Sequence, residues 1–254
     1  MNRKSIMHQN ILENYLNDLL NIQQFQDYCP NGLQIEGKTS IQMLVSGVTA
    51  SQDLIQAALD LHADAIIVHH GYFWRGENAC LRGIKYQRIA TLIKHNINLY
   101  AYHLPLDAHA KLGNNTLLGQ KLGITEEGRF GEYDIAAFGS FPEPINLQTL
   151  DGLLSSTLNR PPLIIGDPLK TIQRVAWCTG AAQSYFEAAI QQGVDAFITG
   201  EISEQNVHTA RETGVAFVSA GHHATERYGI QALGEHITKK FSITHHFVDI
   251  DNPV

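Results

Sequence analysis

Two observations predict an α/β protein made of two linked α/β domains from an internal duplication, with parallel or mixed sheets flanked by helices. The first is a stretch that recurs. Residues 41–71 read IQMLVSGVTASQDLIQAALDLHADAIIVHHG, and residues 172–201 read IQRVAWCTGAAQSYFEAAIQQGVDAFITGE. At one constant offset and without gaps, Ile41 meets Ile172, Gln42 meets Gln173, Gln52 meets Gln183, Ala57-Ala58 meet Ala188-Ala189, Asp64-Ala65 meet Asp195-Ala196, and Ile67 meets Ile198. Self-similarity at a fixed spacing is the mark of a duplicated unit. The second observation is the grammar within each copy. A short apolar run (MLVSGV; RVAWCT) is followed by an alanine-rich amphipathic stretch and a second apolar run (DAIIV; DAFIT). Strand–helix–strand with short connections makes βαβ units and a largely parallel sheet.

The remaining elements follow in order. Ile6, Ile11, Leu12, Tyr15, Leu16, Leu19 and Leu20 have helical spacing, so 6–20 is an amphipathic helix. Cys29-Pro30-Asn31-Gly32-Leu33-Gln34 is turn chemistry. After the first copy, 86–95 reads as a helix and 97–103 (INLYAYH) as a third strand. Residues 124–170 hold Pro142, Pro144, Pro161, Pro162 and Pro168, which predicts a linker with smaller elements, the clearest a helix at 147–158. After the second copy, 204–213 reads as a helix and 215–222 (VAFVSAGH) as a third strand. A last helix follows from about 224 to 241, then a final strand, HHFVDI.

Composition narrows the function classes. With 18 basic and 25 acidic residues the formal charge is -7, which argues against charge-driven binding to nucleic acid or to an anionic membrane. The three cysteines, Cys29, Cys80 and Cys178, are far apart and form no C-x-x-C pair. A disulfide framework or thiolate zinc site is therefore not expected, and a reduced, cytoplasmic setting is. The N-terminus has an early basic pair but neither the apolar core nor the small-residue cleavage site of a leader. No run reaches the ~18 apolar residues of a membrane span.

Thirteen histidines are present, and their placement is informative. In parallel α/β sheets, sites form beyond the carboxyl ends of the strands. After the second strand of the first copy comes His69-His70-Gly71, and after the third His103-Leu-Pro-Leu-Asp107-Ala-His109. The second copy has Gly200-Glu201 and Gly221-His222-His223-Ala-Thr-Glu226 at the corresponding places. His222 and Glu226, four apart where a helix begins, share one face. Adjacent His69 and His70 point to opposite sides of a regular strand and can serve two neighbouring ions, with Asp107 and Glu226 as oxygen donors able to bridge. This nitrogen and oxygen set suits two divalent cations among Zn, Mn, Fe, Co and Ni. Two ions roughly 3.5–4 Å apart activate water and stabilise charge, which is hydrolytic chemistry. His103 and Glu201 are either direct ligands or orienting partners, and as acid–base groups either is a candidate proton shuttle and hence catalytic. His109 and His223 fit an outer position or a substrate contact. Single histidines within helices (His8, His62, His95, His208, His236) read as structural or exposed, and His245-His246 as surface. Asp64 and Asp195 precede strands and read as caps. Gly71-Tyr72-Phe73-Trp74 either walls a pocket or packs. A G-x-x-x-x-G-K phosphate loop and a G-x-S-x-G elbow are both absent from the sequence.

YCPNGLQIEG (28–37), VHHGYFWRGE (68–77), YHLPLDAH (102–109), DAFITGEISEQ (195–205) and AGHHATERYG (220–229) together resemble the Nif-three-like family, named for a yeast NGG-one-interacting factor and often labelled GTP cyclohydrolase 1 type 2. The likeness runs from near residue 25 to the C-terminus and is weakest over 124–170. It implies a toroidal homohexamer with dinuclear metal sites held by the residues matching His69, His70, Asp107, His222 and Glu226. It also implies that the last helix and strand return to the first domain, giving domains of 1–124 plus 222–254 and of 125–221. The function expected is metal-dependent hydrolysis of a nucleotide-like or phosphorylated small molecule. The rival is a non-enzymatic hexameric ring with structural or regulatory metals that binds a protein or nucleic-acid partner, for example in a DNA-damage response.

Overall fold

The computed structural model describes residues 7–254. Ile6 and the reading of the extreme N-terminus lie outside the described residues. The chain divides into two units. One runs to Leu106 and resumes over Gly229–Asp251. The other spans Asp107–Tyr228 with Asn252–Val254. The sequence reading put 107–124 and 222–228 with the first domain, whereas the structure puts both with the second unit. The reason is packing, since Leu118, Leu122, Ile124 and Ala224 are buried in the second unit's core with Trp177, Ile198 and Val218.

The first unit is a five-stranded sheet, in the order Thr244–Phe247, Met43–Thr49, Ala65–His70, Asn98–Ala101, Gly32–Ile35. The first four strands are mutually parallel, and Gly32–Ile35 runs antiparallel at the edge. Val45, Ile66, Val68, Leu99 and Ala101 supply the sheet's side of a core shared with Leu54, Ile55 and Ala58 of the helix Gln52–Asp60. The return of the C-terminal segment is direct, because His245 and His246 pair with Leu44 and Val45.

The second unit is a six-stranded mixed sheet, in the order Thr125–Phe130, Ala136–Asn146, Thr171–Trp177, Ala196–Thr199, Ala216–Ser219, Leu163–Ile165. The Thr171, Ala196 and Ala216 strands are parallel, and the flanking strands are antiparallel. Helices Asn114–Lys121, Leu147–Leu158 and Glu204–Thr213 flank them. The 124–170 stretch is therefore not chiefly a linker but supplies three strands. Its prolines misled the reading. Pro142 and Pro144 lie inside the strand Ala136–Asn146, where the ladder to the Thr171 strand is interrupted between the Ser140/Arg174 and Ile145/Ile172 pairs. A missing N–H is tolerated at such a gap.

The duplication survives in atomic detail. Leu44 pairs with Ala65, and Val175 with Ala196, the same register under the same offset. The Asp64 carboxylate accepts from the backbone N–H of Gln42 and Met43 at 2.9 and 3.0 Å. The Asp195 carboxylate accepts from Gln173 and Arg174, both at 2.9 Å. Each aspartate thus caps the start of the neighbouring strand and fixes where pairing begins. The copies differ where a cap is lost. Ser51 accepts from the Leu54 N–H and opens a regular helix, whereas its counterpart Ala182 has no such oxygen, and the chain enters its helix through a 3-10 turn at Gln183–Tyr185.

His245 departs from its sequence reading as surface. It is half-buried, its Nε2 lies 2.7 Å from the Ser46 hydroxyl, and it packs where any side chain on Gly234 would collide with it. Burial pushes its imidazole down from 6.5 to about 4, with Glu235 opposing and His246 adding to the shift. Between those pH values the unfolded chain holds a proton that the folded chain refuses, so stability falls as pH drops through this window. His245→Gln is expected to flatten the slope of melting temperature against pH between 6.5 and 4. Superimposable slopes for the two proteins would disprove the assignment.

Candidate metal centre

In the first unit, His69 and His70 end the strand Ala65–His70, and His103 stands just beyond the strand Asn98–Ala101, which pairs with it in parallel. The shared sheet places the three imidazoles at one end of neighbouring strands. One metal-capable nitrogen from each lies within 4.8 Å of the others. His69 is fully buried, and its Nδ1 is 2.9 Å from the Tyr102 carbonyl. A carbonyl only accepts, so Nδ1 carries the proton donated to it, and Nε2 is the nitrogen turned away from that carbonyl. His70 Nδ1 is 3.2 Å from the Thr49 hydroxyl on the adjacent strand. His103 Nδ1 is 2.7 Å from Asp27 Oδ1. Burial works to raise the Asp27 carboxyl, but hydrogen bonding and charge from His103, with help from Asn31 and the Tyr28 N–H, hold it below the usual range. Burial and then the Asp27 charge push the thiol of the nearby Cys29 up to about 12.

In the second unit, Asp107 lies in the short helix Leu104–Ala108 and is 5% exposed. Its Oδ1 accepts from Asn114 Nδ2 at 2.8 Å and faces the Thr179 hydroxyl at 3.4 Å. Asn115 braces the same corner, its side-chain oxygen accepting from Thr179 N and its carbonyl from Trp177 Nε1, both at 2.8 Å. His222 and Glu226 bracket one helical turn, His222–Thr225, and the imidazole Nε2 is 3.1 Å from Glu226 Oε2. The predicted long last helix is broken there, its main part beginning at Arg227. On its other side His222 Nδ1 is 2.7 Å from Glu201 Oε1. Burial lowers the His222 pKa, yet Glu226 and then Glu201 outweigh it and bring it up to about 9. A cation at Nε2 therefore has to displace a proton. Gly180 makes room for this group. Its φ is +70°, and a Cβ there would run into the Glu226 carboxylate and come within 3.3 Å of His222 Nε2. Cys178, fully buried beside them, has its thiol pushed well up by burial and then by the charges of Asp107 and Glu226.

The residues fit a borderline divalent cation. The donors are imidazole nitrogens and carboxylate oxygens, and the imidazoles are fixed by oxygens at Nδ1 as ligating histidines generally are. Glu201, the counterpart of His70 in the repeat, lies against His222, its Oε1 2.7 Å from the ring's Nδ1. His109 is committed locally, its Nδ1 accepting from the backbone N–H groups of Lys111 and Leu112 at 3.1 and 3.0 Å. His223 is buried, and its N–H donates to the Val254 carbonyl. The 71–74 segment splits by residue. Tyr72 is buried with its hydroxyl on the Ala50 carbonyl, whereas Trp74 lies edge-on to His103 with ring centroids 5.1 Å apart. Sequence reasoning missed Asp27, Thr49, Asn114, Asn115 and Gly180. Only Asp27 carried a local signal, as the residue just before YCPNG.

The chain is similar to known proteins over nearly its whole length. The family model described as Duf34/NIF3 (NGG1p interacting factor 3) matches residues 7–253. A "GTP cyclohydrolase 1 type 2 homolog" of Vibrio cholerae is 51% identical over 247 residues, 96% of this chain and 98% of the relative. One of the same description from Pseudomonas aeruginosa is 51% identical over 92% of this chain and 94% of its own length. Among solved structures, a structural-genomics protein described as ybgI, of unknown function, aligns with a TM-score of 0.94 at 49% identity, over 98% of this chain and 100% of the other. A Thermus thermophilus protein, TTHA1606, aligns with a TM-score of 0.88 at 33% identity, over 98% and 100%.

Proposed function

The chain belongs to the Duf34/NIF3 family, and on that premise we propose that it is a dinuclear metal-dependent hydrolase of a nucleotide-like or phosphorylated small molecule. His69, His70, Asp107, His222 and Glu226 hold two divalent cations. The observation that carries this reading is the anchoring of the imidazoles. Nδ1 of His69, His70 and His222 each meets an oxygen within 3.2 Å, which directs Nε2 away from the protein oxygen that fixes the ring. Divalent cations held there supply water activation and stabilisation of developing negative charge. The chain's own work is orientation. Glu201 fixes the His222 ring, Asn114 and Thr179 fix Asp107, and Trp74 offers an aromatic edge beside His70 and His103. The label carried by the curated relatives points to nucleotides as the first substrates to try.

Assembly as a homohexamer belongs to the same proposal. The helix Gly83–Lys94 leaves Tyr86 and Ile93, seven residues apart on one face, more than half exposed, an apolar strip suited to burial against another copy.

The test is reconstitution of chelator-stripped protein with Mn, Zn or Fe, followed by product analysis over a nucleotide panel. Turnover that appears only with metal is expected. Stoichiometric metal binding without turnover on any member would overturn the hydrolase reading and favour metals with a structural or regulatory role.

A further inference from the structure

Resting on that metal-binding reading, we infer that His103 is a third cation-directed imidazole of the first unit and that Asp27 is the carboxylate positioning it. The chemical class it serves is a divalent transition cation with a preference for imidazole nitrogen, such as Zn, Fe, Co or Ni.

The geometry is specific. His103 lies against both histidines that end the neighbouring strand, its ring centroid 5.1 Å from that of His69 and 5.7 Å from that of His70. Its Nδ1 donates to Asp27 Oδ1 at 2.7 Å, because an ionised carboxylate only accepts. That leaves the Nε2 lone pair for a cation. A carboxylate–histidine–metal arrangement is how many metal proteins fix a ring and raise its basicity.

Asp27 is built for this task. Its side chain is 3% exposed, and its two oxygens also accept from the Tyr28 N–H at 2.6 Å, Asn31 Nδ2 at 2.8 Å and the Leu104 N–H at 3.0 Å. The carboxylate therefore has little freedom to turn. Asn31 adds a further tie, since its Oδ1 accepts from the His103 N–H at 2.8 Å, so side chain and backbone of His103 are held from one loop. Trp74, edge-on at 5.1 Å, limits the ring from another side. A histidine serving only to fill space needs none of this.

Cobalt(II) binding to chelator-stripped full-length protein tests the inference through its visible ligand-field spectrum and its titration curve, without reference to turnover. Asp27→Asn keeps the shape and removes the charge. It is expected to weaken cobalt binding by about 10–100-fold, the usual effect of losing an outer carboxylate. His103→Ala is expected to change the ligand-field spectrum and weaken binding further. Free imidazole added to His103→Gly should restore the wild-type bands. If wild type binds cobalt and both Asp27→Asn and His103→Ala match its affinity and spectrum, the inference fails while the metal-binding reading stands, even if the variants melt at lower temperature. If wild type binds no cobalt, both fail.

Discussion

Glu226→Gln should abolish the thermal stabilisation that added metal gives the wild-type protein, while leaving the metal-free protein folded though less stable. Glu226 is 2% exposed, yet it carries a charge. Burying a carboxylate is unfavourable unless a cation meets it, and removing one partner of a buried pair changes stability according to what remains. Without metal, His222 is the cation that faces Glu226, at 3.1 Å, and Asp107 in the same unit is a second buried carboxylate. Glutamine then costs the apo fold the ion pair with His222, while Glu201 still holds the ring. With metal, a glutamine amide is a poor substitute for a carboxylate ligand. Affinity should fall by more than the ~100-fold that an outer partner can account for. A ligand present at 100 times its Kd stabilises by about 2.7 kcal/mol. Wild type should show a melting-temperature rise of that origin, and the variant at the same metal concentration should show almost none. An equal rise in the two proteins would remove Glu226 from the ligand set. The same samples on light scattering separate the rival readings. An intact assembly without turnover supports catalysis, and loss of assembly supports a structural metal.

Trp177→Ala should be the most destabilising single core change in the second unit, at about 3–5 kcal/mol. The indole is fully buried at the end of the strand Thr171–Trp177, central in its sheet. Its ring lies so close to Gly119 that a Cβ there would sit 2.6 Å from it, so the helix Asn114–Lys121 is seated directly on the tryptophan. Truncation leaves a cavity beneath that helix and strips the Asn115 carbonyl of its Nε1–H donor. The effect should reach the metal ligands, because Asn114 and Asn115 brace Asp107 and Thr179. Calorimetry should show a weakened transition together with reduced metal affinity. Trp177→Phe, which refills most of the cavity, should recover the larger part of both. A loss under 1 kcal/mol for the alanine variant, well below the usual range for such truncations, would mean that the helix is seated by something else.

Much of this was legible in the sequence because it is written in repeats and periods. The constant offset between copies predicted paired βαβ units, and the Leu44/Ala65 and Val175/Ala196 registers obey it. The rule that sites gather at strand ends singles out His69 and His70 in one copy and His222 and Glu226 in the other as candidates. Two kinds of feature were not legible. The strand Ala136–Asn146 hid behind Pro142 and Pro144, because composition signals a break without telling whether the ladder is interrupted there anyway. The outer partners hid because they are set by three-dimensional proximity. Asp27 is 76 residues from His103, and Thr179 is 72 from Asp107. Nor was the helix Asn114–Lys121 legible, because it buries Asn114, Asn115 and Thr116 beside Leu118 and Gly119 and so shows no apolar period.

The order of strands in the second unit bears on how this protein behaves at high concentration. Its parallel centre depends on contacts distant in sequence, the kind that form late in folding and leave partly paired sheets exposed meanwhile. Open sheet edges are templates for intermolecular pairing. Here one edge is the three-residue strand Leu163–Ile165, preceded by Pro161 and Pro162, and the other is Thr125–Phe130, studded with Glu126, Glu127 and Arg129. A short proline-led edge and a charged one give an incoming strand little to pair with. The sheet can grow inward to completion without offering itself as a seed for aggregates, and a change such as Glu126→Val or Pro162→Val would erode that protection before it touched the fold.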